Sequence, residues 1–158
     1  SSASVETVPP PDLGDAPLVT VEFVARGRAD IQNPPSRSMV RRLSQEFTLL
    51  VIENPQQWQG AQRWLGLPAS TASPDLEHGM IVGIAADIGE SAKDNWPLAV
   101  EGVRIRDGRG WVLVEFLGGL FHPVQTAAYV ELVYVPGLRT ISTVSVNRRV
   151  FQLLASGT

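Results

Sequence analysis

Along most of the chain hydrophobic and polar positions alternate with a period of two. Over Leu18–Ala25, Val19, Val21, Phe23 and Ala25 fall on one side while Thr20 and Glu22 fall on the other, which predicts a half-buried strand. From Arg26 to Arg42 the pattern breaks at Gly27, Asn33-Pro34-Pro35, Ser36 and Ser38, and this stretch reads as a polar, exposed excursion. Its arginines (26, 28, 37, 41 and 42) face only Asp30. A solvated loop between strands accounts for them more simply than a docking patch for an acidic partner. Phe47–Ile52 is a compact apolar run rich in β-formers, hence a second strand.

At Glu53-Asn54-Pro55 the period changes to that of a helix. Asn54 can accept from the free amides of a first helical turn, and Pro55 suits the first helical position because its missing donor is not needed there. Gln57, three residues after Asn54, completes a variant of the capping box. Trp58, Ala61, Trp64 and Leu65 share a face, and Gly66 with Pro68 forms the stop, so a helix is predicted over Pro55–Leu65 with both indoles turned inward. After a single turn at Pro74–His78, Gly79–Ile88 returns to strand character. Val100–Arg106 and Trp111–Leu117 flank Asp107-Gly108-Arg109-Gly110, a hairpin signal. Ala128–Val135 is a further strand closed by Pro136-Gly137. Thr140–Leu154 reads as one long last strand, kinked near Arg148-Arg149.

The expectation is a mainly β domain of about seven strands, an antiparallel β-sandwich or partly open barrel with one short α-helix packed on it. Residues 1–16, rich in Ser, Pro and acidic side chains, read as a flexible tether, and 17–158 as a single β-rich domain. At 158 residues the chain suits one ordinary domain. A net charge of −3 argues against a broad phosphate-binding surface, so no nucleic-acid partner is expected. Cysteine is absent, which excludes disulfides, zinc–thiolate sites and cysteine nucleophiles.

Candidate chemistry is sparse. His78 and His122 lie far apart, each beside a turn residue, so no metal site and no cofactor is expected. Nucleophile-elbow, dinucleotide and phosphate-loop motifs are missing from the sequence. The densest polar cluster runs from Asp87 to Asn95. Asp87, Glu90 and Asp94 could pair as acid and base only if they converge in one cleft. Ordinary connection chemistry explains them better, and no catalytic residue is assigned. Of the four tryptophans, Trp96 beside that loop is the one suited to a contact surface, so Glu90, Lys93, Asp94, Asn95 and Trp96 form the candidate binding site.

Three segments resemble the C-terminal domain of the protease complex subunit PrcB family. They are Asn54-Pro55-Gln56-Gln57-Trp58 with Trp64, Asp75-Leu76 followed by Met80-Ile81-Val82-Gly83-Ile84 and the later Gly89, and Ala127 through Pro136. Where that family has a Gly-pair turn, this chain has Ala92-Lys93-Asp94-Asn95-Trp96-Pro97. The resemblance implies a secreted or lipid-anchored bacterial accessory protein that accompanies an envelope or secreted protease, and it implies no catalytic residue. The expected function is therefore a non-enzymatic exported module, periplasmic or at the cell surface, that docks a partner protein through surface loops. A membrane tether through the N-terminus is compatible with this. The alternatives are a carbohydrate-binding module, which needs a flat exposed aromatic pair, and a structural subunit of a larger envelope assembly.

Overall fold

In a computed structural model the structure describes residues 4–87, 96–117 and 127–154. Two sheets lie face to face, and one helix covers the outer face of the second. Six strands form the first sheet in the order β1 (Ser4–Thr7), β11 (Arg149–Leu153), β10 (Thr140–Val146), β8 (Arg109–Phe116), β7 (Leu98–Arg106) and β2 (Leu18–Val19). The second runs β3 (Glu22–Ala29), β9 (Ala128–Pro136), β6 (Gly79–Ala86), β5 (Phe47–Ile52) and β4 (Val40–Arg42). The expected mainly β sandwich with a single helix is what forms, and neither sheet closes into a barrel.

Both faces of the second sheet are buried, which explains why its central strands read as apolar runs rather than alternations. Met80, Val82, Ile84 and Ala86 of β6 meet Val103, Val112, Val114, Val144 and Phe151 of the first sheet. The intervening Ile81 and Ala85 face the helix α1 (Pro55–Trp64) together with Leu50, Ile52, Val130 and Leu132. The helix begins as the sequence predicts. Asn54 Oδ1 accepts from Gln57 N at 2.9 Å, and Gln57 Oε1 reaches back to Glu53 N at 2.7 Å. Both indoles turn inward. Trp58 is buried, and Trp64, half-buried, donates from Nε1 to the Asp30 carbonyl at 3.0 Å.

The Asp107-Gly108 hairpin also forms, with both turn residues at positive φ (54° and 79°), as a two-residue type I′ turn requires.

Several expectations need correction. Eleven strands, not about seven, occur among the described residues. The expected single strand over Thr140–Leu154 is a second hairpin, turning at Asn147-Arg148 with Asn147 at φ 54°. Asparagine tolerates that conformation, and here its side chain is bonded both ways to the Phe116 backbone, at 2.9 and 3.1 Å. The pairing is not wholly antiparallel, because β8 and β10 run parallel. Between them the chain crosses to the other sheet as β9 and returns, which is the long connection a parallel pair needs.

The exposed excursion after Arg26 is partly strand: β3 continues to Ala29, and β4 pairs with β5. The opening segment does not hang free as a tether. Over Ser4–Thr7 it pairs with β11, and Leu13 and Ala16 are buried. Arg104 and Arg106 donate to the carbonyls of Ala16 and Asp12 at 2.9 and 2.7 Å, and Arg109 pairs with the Asp12 carboxylate. A composition that cannot build a core of its own is thus held by arginines of the neighbouring strands.

Candidate functional site

Four of the five candidate binding residues, Glu90, Lys93, Asp94 and Asn95, lie outside the described residues. Trp96, the fifth, sits where the chain enters β7 and belongs to a surface that the sequence reading did not assemble. Its ring meets Tyr129 of β9 edge-on, with centroids 4.9 Å apart and planes at 82°. Arg26 of β3 lies 5.9 Å from the Trp96 centroid and 5.4 Å from that of Phe23. Arg28 stands 4.2 Å over Tyr129. The result is a continuous ladder of Arg28, Tyr129, Trp96, Arg26 and Phe23, each neighbouring pair held by cation–π or edge-to-face attraction.

A β-bulge builds this ladder. In β3 the register with β9 slips between Phe23 and Ala25, so Phe23 pairs with Val133 while Ala25 pairs with Leu132. Strict alternation would put Phe23 on the face of Ala25, Gly27 and Ala29, which is turned toward the helix. The extra residue, Val24, carries Phe23 to the opposite face, beside Arg26 and Arg28. Phe23 is left 62 % exposed where the alternation predicts a buried residue. Nothing in the local sequence announces the slip. It is set by pairing with β9, which holds Glu22 and Phe23 on one side of Val24 and Ala25 through Ala29 on the other.

Beneath the ladder lies a buried carboxylate. Glu131 is 3 % exposed, and its Oε1 accepts from Arg26 Nε at 2.8 Å. Its Oε2 accepts from the amide of Val100 on β7 at 2.7 Å. One side chain therefore ties β3 and β9 of one sheet to β7 of the other. That contact uses Nε of the Arg26 guanidinium, whose side chain remains 45 % exposed. Arg28 donates to the Ala127 carbonyl at 2.9 Å. Among the described residues the one buried side-chain polar atom without a hydrogen-bond partner is Trp96 Nε1, at the centre of the ladder. Buried indole donors usually find an acceptor, so this one marks a place where the fold tolerates a cost.

Other chemistry is set apart from this surface. Asp75, Glu77 and His78 each bring one potential ligand atom within 4.8 Å of the others on an exposed turn. His78, expected beside a turn with no second histidine near it, has its Nδ1 2.6 Å from Asp75 Oδ2. That hydrogen bond is the main cause that holds the Asp75 carboxyl below its ordinary range. Asp87 lies at the end of β6, its amide donating to the Glu46 carbonyl at 2.8 Å; its expected partners Glu90 and Asp94 lie outside the described residues. A cleft of about 380 Å³ opens between the sheets at the far side, where Leu49, Val51 and Met80 face Ile141, Ser142 and Leu153. Arg41 and Glu53 also line it.

Comparison with protein-family models, with curated proteins and with solved structures finds no match to this chain.

Proposed function

We propose that this chain is a non-enzymatic protein-binding module that docks a partner protein through the surface around Trp96. The observation that carries the reading is the ladder itself. Arginine and aromatic side chains dominate the energetics of protein contacts, and here five of them form one continuous row from β3 and β9 to the start of β7, with Phe23 mostly bare. The bulge that re-aims Phe23 gives up regular pairing for this arrangement, which is a familiar use of bulges near functional surfaces. Export to the periplasm or cell surface, with or without a lipid anchor, and service to an envelope protease belong to the same proposal. They rest on the likeness to the PrcB family in the segments quoted above. Among the described residues no helix is long and apolar enough to cross a membrane.

The glycan-binding alternative asks for two rings in one flat, open face. Trp96 and Tyr129 meet nearly at right angles, and Trp58 is buried under the sheet, so the described residues offer that reading no support.

The test is affinity capture from an envelope extract with the native protein, Phe23→Ala and Trp96→Ala. A partner protein retained by the native chain and lost from both variants is expected. Retention of every captured protein by both variants overturns the assignment of this surface.

A further inference from the structure

The long free edge of the second sheet suggests how the partner is held. Of the four edge strands, β1, β2 and β4 have four, two and three residues, whereas β3 has eight. Long edges invite pairing with another chain, and proteins blunt them with short strands, charges or bulges. Here the outer side of β3 forms no backbone hydrogen bond with any described residue. The bulge at Val24 interrupts its first half only, so Ala25–Ala29 remains a regular run in register with Leu132–Ala128.

We propose that β3 takes up an extended, acidic segment of the partner as an added antiparallel or parallel strand of this sheet, a refinement that rests on the docking surface assigned above. The chemistry comes from the side chains flanking the free edge. Arg26 and Arg28 are two residues apart and stand on one face, the spacing at which alternate residues of an incoming strand meet their neighbours. Both guanidiniums are exposed, and each spends part of its donor set inside the protein, on Glu131 and on the Ala127 carbonyl. Their remaining N–H groups match carboxylates in the forked geometry that arginine favours. The one carboxylate already in contact with them, Glu131, is buried and saturated by Arg26 and the Val100 amide, so it leaves Arg28 without an acidic partner among the described residues. On the opposite face, Gly27 presents no side chain to obstruct the strand, and its own neighbour there is Leu65 of the helix. Main-chain bonds supply the affinity and the two arginines select for glutamate or aspartate at alternate positions.

The test uses the full chain and synthetic eight-residue peptides of alternating Glu and Thr, read by fluorescence anisotropy. Saturable binding is expected, falling roughly five- to tenfold in Arg28→Glu, where reversal turns an attraction into a repulsion, and falling less in Arg28→Lys, which keeps the charge without the fork. Arg28 is exposed, so loss of its contacts to Tyr129 and the Ala127 carbonyl should lower the melting temperature of either variant by no more than about 4 °C. A peptide methylated on alternate backbone nitrogens should lose binding, since it cannot complete the ladder. Equal binding of the methylated peptide, equal binding of a Lys-Thr peptide, or indifference to Arg28→Glu each overturns strand addition while leaving the docking surface of the capture experiment standing. Sedimentation of the protein alone provides a further check. A dimer abolished by Arg28→Glu assigns the edge to a second copy and also overturns the proposal.

Discussion

Replacing Glu131 by alanine removes a side chain that links three strands of both sheets. Two effects set the size of the loss. The Val100 amide, on a residue only 7 % exposed, is left without an acceptor, which costs about 1–3 kcal/mol. The Arg26 guanidinium also loses its carboxylate, but at 45 % exposure water can take over much of that role, so this adds no more than about 1 kcal/mol. Together the loss is about 1–4 kcal/mol, and release of the carboxylate from a buried position pulls it toward the lower end. For a domain of this size the melting temperature should fall by roughly 2–16 °C. Glu131→Gln keeps an oxygen for Val100 and gives up only the charge, so it should cost about 1 kcal/mol. Thermal and urea unfolding of the two variants separates these effects. If alanine and glutamine prove equal, or if alanine leaves the midpoint unmoved, the carboxylate does not tie the sheets together and the account of the ladder's foundation is wrong.

Further outcomes follow from local geometry. Glu101 lies at a bulge of β7 beside Glu115 of β8, and its carboxyl is held above the ordinary range by a hydrogen bond with Glu115, then by burial and like charge. A raised carboxylate value means the pair weakens the fold as pH climbs above the unfolded value of about 4.3. Glu115→Gln should therefore raise stability at pH 7 by about 0.2–0.5 kcal/mol and do nothing at pH 3, which paired urea titrations will show. Glu46 is shifted the other way, chiefly by the Ser44 hydroxyl at 2.7 Å and then by its own backbone amide and Arg149. Its contribution is complete above the unfolded value and is lost as pH falls through the lower folded one, so Ser44→Ala should move the Glu46 titration upward in an NMR pH series. A Cβ at Gly83 would strike the Leu132 side chain and come within 3.0 Å of the Glu131 carbonyl. Gly83→Ala should consequently cost about 1–3 kcal/mol in chemical denaturation.

Local rules sufficed where a segment's partners are its own neighbours. The helix over Pro55–Trp64 is legible because its cap, its proline, its apolar stripe and its terminal glycine all act within a dozen residues. Asp107-Gly108 is legible for the same reason, since a two-residue turn at positive φ depends on those two residues alone. The β6 and β9 runs announce strands buried on both faces. What the sequence by itself determined was thus a mainly β domain with one inward-facing helix and no thiol chemistry. Only the tertiary structure decided which strands share a sheet, and so that β8 and β10 run parallel and that Ser4–Thr7 finds an edge to pair with. The ladder belongs to that second kind. Phe23, Arg26 and Arg28 stand on one face only because β9 imposes a slip of register at Val24, and Trp96 and Tyr129 arrive there from chain positions 68 to 106 residues away. Periodicity along one strand carries no information about such a slip, because the energy that favours it lies in bonds to another strand.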